Sequence, residues 1–253
     1  MKIIAGPCVW EGYSLACEVI DHMLPLCKSN NIEYYFKASF EKANRSLNTS
    51  FQGYPLPHVL CDFGSLKQKY HGLKIVTDVH TVEQARVVGK SPFVDVIQIP
   101  AFLSRQTELI NTACSYEDKI VNIKKGQWMS AKDIGDVLTK TGEASVWITE
   151  RGTCFGYNNL VVDFKGLQYM KETYKEQTIV FDGTHSTQLP GVGGEPEYSE
   201  GLMYAAAAVG MDSFFLEVHP NPEEALSDKS TVFPLDKTEE FISKLKEFVF
   251  VSA

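Results

Sequence analysis

The chain has 253 residues, with 24 Lys and Arg against 32 Asp and Glu, a formal net charge of −8. That balance argues against a nucleic-acid partner, which needs a basic patch or stripe. It does not bear on small phosphorylated substrates, because a pocket can oppose the average sign. Apolar residues make up 44 % and charged residues 22 %, a globular composition. No apolar run approaches the roughly 18 residues of a membrane span. The start, MKIIAGPCVWEGYS, lacks the apolar core and cleavage site of a signal peptide, so no membrane association and a cytoplasmic location are expected. The 6 cysteines form no C-x-x-C pair, which predicts free thiols rather than a disulfide framework or a zinc ribbon.

In chain order, β-rich runs are predicted at 2–6 (KIIAG), 33–38 (EYYFKA), 74–79 (KIVTDV), 93–99 (FVDVIQI), 119–124 (KIVNIK), 145–150 (SVWITE), 178–183 (TIVFDG) and 213–218 (SFFLEV). Most are apolar on both faces, the pattern of buried parallel strands. Helical stretches lie between them. Leu15, Val19, Ile20, Met23, Leu24 and Cys27 keep helical spacing, and Pro25 is expected to kink or shorten that helix. A helix over 199–209 should stop at Gly210, and the amphipathic run 236–248 closes the chain. Eight strands, each followed by a helix and with no Pro/Gly/Ser-rich linker, predict one (β/α)₈ barrel over residues 1–253. An open doubly wound sheet would carry G-x-G-x-x-G after its first strand, and that motif is absent.

A barrel enzyme builds its active site at the C-terminal ends of its strands. Polar or reactive residues stand at all eight exits: Cys8; Lys37, Lys42, Asn44 and Arg45; Asp78 and His80; Gln98; Lys124 and Lys125; Glu150 and Arg151; Asp182 and His185; Glu217 and His219, with Asp228 in the loop beyond. Lys37, Lys42, Arg45, Lys124 and Arg151 are cations that suit phosphate and carboxylate oxygens. Taken singly, each would also suit an ion pair with Glu41, Glu108 or Glu150; together they favour a phosphate site. Cys8, His185, Glu217 and Asp228 are far apart in sequence, but closure of the barrel brings the last strand beside the first. Thiolate, imidazole and two carboxylates form a mixed donor set for one borderline divalent cation such as Zn²⁺, Fe²⁺ or Mn²⁺.

The strings FKASFEKANRS, TDVH, VIQIPAFLSRQTEL, VNIKKGQ, ERGTCFGYNNLVVDF, FDGTHSTQLPG and EVHPNPEEALSD occur in this order from about Ile4 to Asp228. In them the chain resembles the 3-deoxy-D-manno-octulosonate 8-phosphate synthases, also called 2-dehydro-3-deoxyphosphooctonate aldolases. The resemblance implies condensation of phosphoenolpyruvate with arabinose 5-phosphate. Cys8 in AGPC implies the metal-dependent branch, with Cys8, His185, Glu217 and Asp228 as ligands. It assigns Lys37, Lys42, Lys124 and Arg151 to phosphoenolpyruvate, with Gln98 and Ala101 near its phosphate. Asn44, Arg45 and Ser46 would hold the sugar phosphate, and Asp78 would lie near the sugar hydroxyls. Lys37, Lys42, Cys8 and His185 are the residues expected at the chemistry. A homo-oligomer, usually a tetramer, is implied as well.

Three departures accompany the resemblance. The chain begins at the first barrel strand, without the family's N-terminal hairpin. AGPC continues V-W-E-G where I-E-S is more usual. The loop after strand seven, PGVGGEPEYSEG, is short and has no Arg. K-A-N-R-S stands where the related heptulosonate synthases carry K-P-R-T-S, which favours the five-carbon over the four-carbon sugar. Two rivals follow: a heptulosonate synthase using erythrose 4-phosphate, and a non-catalytic barrel that binds phosphorylated metabolites.

Overall fold

The computed structural model of the chain describes residues 1–43, 51–156, 159–189 and 193–251. Six parallel strands come first: β1 (Lys2–Gly6), β2 (Glu33–Lys37), β3 (Lys74–Asp78), β4 (Val96–Ile99), β5 (Ile120–Lys124) and β6 (Ser145–Glu150). A short antiparallel hairpin follows, β7 (Thr153–Phe155) with β8 (Asn159–Val161). Then come β9 (Thr178–Asp182), β10 (Ser213–His219) and the two-residue β11 (Phe233–Pro234). The order β1-β2-β3-β4-β5-β6-β9-β10, with β10 paired back onto β1, closes an eight-stranded parallel barrel. Its helices are α1 (Tyr13–Ser29), α2 (Leu56–Lys69), α3 (Val82–Lys90), α4 (Thr107–Ala113), α5 (Ile134–Leu138), α6 (Phe164–Thr173), α7 (Ser199–Ala208) and α8 (Thr238–Val251). This is the expected (β/α)₈ barrel.

The two-residue period of a strand divides its side chains between two cores. Ile3 and Ala5 face the helices, whereas Ile4 packs inside the barrel with Tyr35, Val76, Val96, Trp147, Val180 and Phe215, and Ile120 completes the ring. Every barrel strand therefore contributes to a filled interior. Two residues further along, the same inward face carries Lys37, Asp78, Gln98, Asn122, Thr149, Asp182 and Glu217, all buried. The apolar plug is thus the floor of a polar chamber.

Three local expectations need correction. The fourth strand starts at Val96, not at 93. Residues 92–93 form a turn and 95 a bend. Asp95 already exchanges backbone bonds with Ile75 and Ile120, and its carboxylate also accepts the Ile75 N–H at 2.7 Å and pairs with Lys67. The sixth strand is not followed directly by a helix, because the β7–β8 hairpin intervenes at the barrel rim. Pro25 does not shorten α1, which runs on to Ser29. Pro25 lies on the exposed face, where the carbonyl it leaves unpaired can be solvated. The end of α7 is as expected. Gly210 takes φ +93°, and the N–H groups of Gly210 and Met211 donate to Ala207 and Ala206, a Schellman stop.

Candidate active site

The chamber at the C-terminal ends of the strands encloses about 680 Å³ and is lined by Lys37, Lys42, Asp78, His80, Gln98, Ala101, Lys124, Arg151, His185 and Asp228, among others. A second groove of about 660 Å³ runs between α3 and α4 and carries none of these side chains. It lies open on the outer surface, away from the C-terminal ends of the strands.

Ser39 organises one side. Its Oγ accepts from Lys37 Nζ at 2.9 Å and from Lys42 Nζ at 2.8 Å, and donates to Asp78 Oδ2 at 2.9 Å. That uses the hydroxyl's whole capacity. Lys37 Nζ also reaches the Cys8 carbonyl at 3.0 Å and Glu217 Oε1 at 3.1 Å. Burial works against a charged Lys42, but Cys8, Glu217, Asp78 and Asp228 outweigh it and hold its pKa above the usual lysine value. Burial likewise works against a charged Asp78, and Lys37 and Lys42 overcome it, keeping the carboxyl well below its ordinary range. From Asp78 a chain of bonds crosses four strands: Gln98 Nε2 donates to Asp78 Oδ1, Asn122 Nδ2 to Gln98 Oε1, and Thr149 Oγ1 to Asn122 Oδ1.

On the opposite side, Lys124 Nζ lies 2.6 Å from Asp182 Oδ2 and 3.6 Å above the centre of the Phe215 ring. Burial lowers the Lys124 pKa, with Asp182 opposing. Asp182 Oδ1 accepts the N–H groups of Thr184 and His185, and Oδ2 lies 2.9 Å from His185 Nδ1. A carboxylate only accepts, so that contact requires the hydrogen on Nδ1; the longer approach of Lys124 to Nδ1, 3.4 Å, is secondary. Burial keeps His185 below its ordinary pKa. The neutral ring then turns the bare lone pair of Nε2 toward Glu217 Oε1 at 3.7 Å and Asp228 Oδ2 at 3.9 Å. Arg151 is buried. Its Nη2 donates to Gln188 Oε1 at 2.6 Å and to the His185 carbonyl, while its Nε has no hydrogen-bond partner among the described residues.

Between these sides lie the expected cation donors. Atoms of Cys8, Glu217 and Asp228 all fall within 4.8 Å of one another. Cys8 Sγ is 2.8 Å from Ser227 Oγ and 3.2 Å from Asp228 Oδ2. Burial, then the charge of Glu217, pushes the Cys8 thiol well up. Burial alone would raise Glu217, but Lys37 foremost, with Lys42 and Lys124, holds its carboxyl below the ordinary range. Among the described residues its Oε2 is buried without a hydrogen-bond partner, a costly state for a carboxylate oxygen.

The structure therefore brings Cys8, Lys37, Lys42, Asp78, Gln98, Ala101, Lys124, Arg151, His185, Glu217 and Asp228 to one end of the barrel. Asn44, Arg45 and Ser46 lie outside the described residues. Lys125 turns away from the chamber into a structural role, donating to the Met129 carbonyl and to Thr153 Oγ1, with Glu150 at 3.4 Å. Sequence reasoning overlooked Ser39, Asn122, Thr149, Gln188, Ser227 and Phe215. Ser39 had a visible signal, lying between two lysines of the F-K-A-S-F-E-K string; Phe215 looked like any other core residue. The rim aromatics Phe102 and Trp128, stacked 6.0 Å apart and about half exposed, were also unforeseen. Among the described residues no helix is long and apolar enough to cross a membrane.

The sequence profile described as the DAHP synthetase I family matches residues 1–250. The chain is similar to the 2-dehydro-3-deoxyphosphooctonate aldolase of Francisella tularensis, 44 % identical over 253 residues covering 97 % of this chain and 90 % of that protein. Proteins of the same name in Helicobacter hepaticus (44 % identical; 90 % and 89 % covered) and Cyanothece sp. (41 % identical; 96 % and 90 % covered) are similar too.

Proposed function

The chain belongs to the DAHP synthetase I family, and from that premise we propose that it condenses phosphoenolpyruvate with arabinose 5-phosphate and water. The products are 3-deoxy-D-manno-octulosonate 8-phosphate and inorganic phosphate. The observation that carries the reading is the convergence of Lys37, Lys42, Lys124 and Arg151 on one chamber beside the Cys8–His185–Glu217–Asp228 group. The name shared by its relatives supports the same reaction.

In the reaction, C3 of phosphoenolpyruvate attacks the aldehyde carbon, water adds at C2, and the resulting hemiketal phosphate expels phosphate. Lys124 and Arg151 hold the phosphoenolpyruvate anion, with Gln98 and Ala101 beside its phosphate. Two fixed cations in a buried chamber stabilise charge without reorganising, each contact worth on the order of 3 kcal/mol. Lys42 delivers positive charge where the aldehyde oxygen becomes negative, and Lys37 holds Glu217 and the Cys8 backbone in place. Asp78, locked by Ser39 and Gln98, meets the sugar hydroxyls. Asn44, Arg45 and Ser46 take its phosphate end. Holding both substrates in register removes the entropic cost of a bimolecular encounter.

The donor chemistry fits one divalent cation of the Zn²⁺, Fe²⁺ or Mn²⁺ kind, held by Cys8, His185, Glu217 and Asp228. The orphaned Glu217 Oε2 and the His185 Nε2 lone pair are the atoms that such an ion would satisfy. Bound there, it supplies a Lewis acid that polarises a substrate or water oxygen. We include a cytoplasmic homotetramer in the proposal; the half-exposed Phe102 and Trp128 offer apolar surface for a second copy to cover.

The test is phosphate release from phosphoenolpyruvate with arabinose 5-phosphate or erythrose 4-phosphate at equal concentration, before and after chelation, with metal analysis and light scattering of the same sample. Preference for the five-carbon sugar and loss of activity on chelation are expected. Preference for erythrose 4-phosphate would instead establish the heptulosonate reaction, and binding without phosphate release a non-catalytic barrel. Full activity in verified metal-free protein overturns the cation assignment.

A further inference from the structure

Glu11 is an acid near the chamber, with a largely covered side chain, that the chemistry above does not use. It lies three residues beyond Cys8 in the loop after β1, and its side chain is only 7 % exposed. Its Oε1 accepts the backbone N–H of Leu226 at 3.1 Å. Its Oε2 faces His219 Nε2 at 3.4 Å. His219 Nδ1 accepts the N–H of Asn221 at 3.0 Å, so in the neutral ring the hydrogen sits on Nε2, facing the carboxylate. That second contact falls short of a hydrogen bond, so the Leu226 arm is the stronger. One carboxylate thus joins the loop after β1 to the loop after β10, two residues before Asp228.

Asp228 needs such a hold. Its backbone takes φ +50°, a left-handed conformation that costs a residue with a side chain roughly 1–2 kcal/mol. Downstream it is fixed by its carbonyl, which accepts the N–H groups of Thr231 and Val232. Upstream, the fixed points are Ser227, in contact with Cys8, and Leu226, in contact with Glu11. The Cys8 loop is itself pinned to the barrel, with Trp10 N–H donating to the Ser39 carbonyl at 2.7 Å. Glu11 therefore transmits a fixed reference from the barrel wall to the segment carrying Asp228.

We propose that Glu11 is a positioning residue that sets the distance between Cys8 and Asp228 by anchoring the Leu226 N–H. This rests on the reading of Cys8, His185, Glu217 and Asp228 as cation donors. Outer partners of metal ligands are typically worth about 10- to 100-fold in affinity, and that is the effect expected here.

The experiment uses Co²⁺ as the probe on the whole chain, reading affinity by competition with a chelator and the Cys8 bond by thiolate-to-cobalt absorption. Cys8→Ala must lose the absorption and bind more weakly than wild type. If it binds as wild type does, the cation reading fails and the proposal with it. With that control met, Glu11→Ala should weaken binding about 10- to 100-fold and diminish the absorption. Glu11→Gln retains an oxygen for Leu226 but sets an amide N–H against the His219 Nε2–H, so its binding should lie between wild type and Glu11→Ala. Leu226→Pro deletes the N–H but leaves Glu11, and Ala225 already has an extended backbone (φ −54°, ψ 136°) of the kind tolerated before proline. It should match Glu11→Ala, and it carries the test if Glu11→Ala does not fold. Wild-type affinity and absorption in Glu11→Ala, or Glu11→Gln binding as weakly as Glu11→Ala, overturns the proposal alone.

Discussion

Lys124 Nζ and Asp182 Oδ2 meet at 2.6 Å, with 5 % and 0 % of their side chains exposed. The pair does two jobs through one carboxylate. Asp182 neutralises a lysine that burial would discharge, and it fixes the His185 hydrogen on Nδ1. Asp182→Asn removes the charge and can offer a hydrogen where only an acceptor fits. Breaking a buried pair by deleting one partner costs about 3–5 kcal/mol. Denaturant unfolding should show a loss of that size, and residual activity should drop at least about 10-fold. Wild-type stability would mean that Lys124 finds another counter-charge.

Phe215 lies beneath both buried lysines, 3.6 Å from Lys124 Nζ and 5.6 Å from Lys37 Nζ. A desolvated cation over an aromatic face is worth about 2 kcal/mol. Phe215→Leu keeps an apolar plug and removes the ring. The variant should fold with a somewhat lower melting temperature and a raised KM for phosphoenolpyruvate. An unchanged KM would assign Phe215 to packing alone.

Acid should weaken the fold through Asp78. Burial opposes its ionisation, but Lys37 and Lys42 hold its folded pKa below the ordinary value. Its contribution is therefore complete above the unfolded pKa of about 4 and is lost as pH falls through the folded value. In that window the unfolded chain binds the extra proton, so stability rises with pH by up to about 1.4 kcal/mol per unit. Unfolding free energies measured below about pH 4 should have a shallower pH slope in Asp78→Asn. An identical slope would show that other carboxyls dominate.

Gly6 ends β1 where a Cβ would meet the Lys37 carbonyl oxygen at 2.1 Å. Backbone cannot rotate away as a side chain can, so Gly6→Ala must push β1 from β2 directly beneath Cys8 and Lys37. Overpacking of this kind costs about 3 kcal/mol. Thermal unfolding should show that loss, accompanied by weaker cation binding; a neutral effect would mean that the two strands can separate freely at this point.

Much of the site was legible because strand periodicity and barrel closure leave few choices. Once eight strands are placed, the residues at their exits must face one another, and Cys8 can meet Glu217 because β10 pairs with β1. The rest was hidden for local reasons. The fourth strand starts late because residues 92–93 turn and 95 bends, a local departure that the apolar run does not record. The β7–β8 hairpin is three residues on each side, too short for a periodic signal. Ser39 and Gln188 are ordinary polar residues whose roles depend on which lysine or arginine lies within 3 Å.

By itself, the order of residues determined the barrel, its polar end and the identity of the groups gathered there. Those follow from hydrophobic period and from chemistry that each side chain carries alone. Only the tertiary structure decided how these charges coexist: Lys37 with Glu217, Lys124 with Asp182, and Lys42 with Asp78 through Ser39. It also decided that, among the described residues, Glu217 Oε2 is buried without a hydrogen-bond partner, and that Glu11 reaches Leu226 at the seam where β10 closes on β1. The physical reason is that pKa, tautomer and ligand spacing depend on distance and burial. Residues some 180 or 215 positions apart acquire those only when the last strand closes on the first.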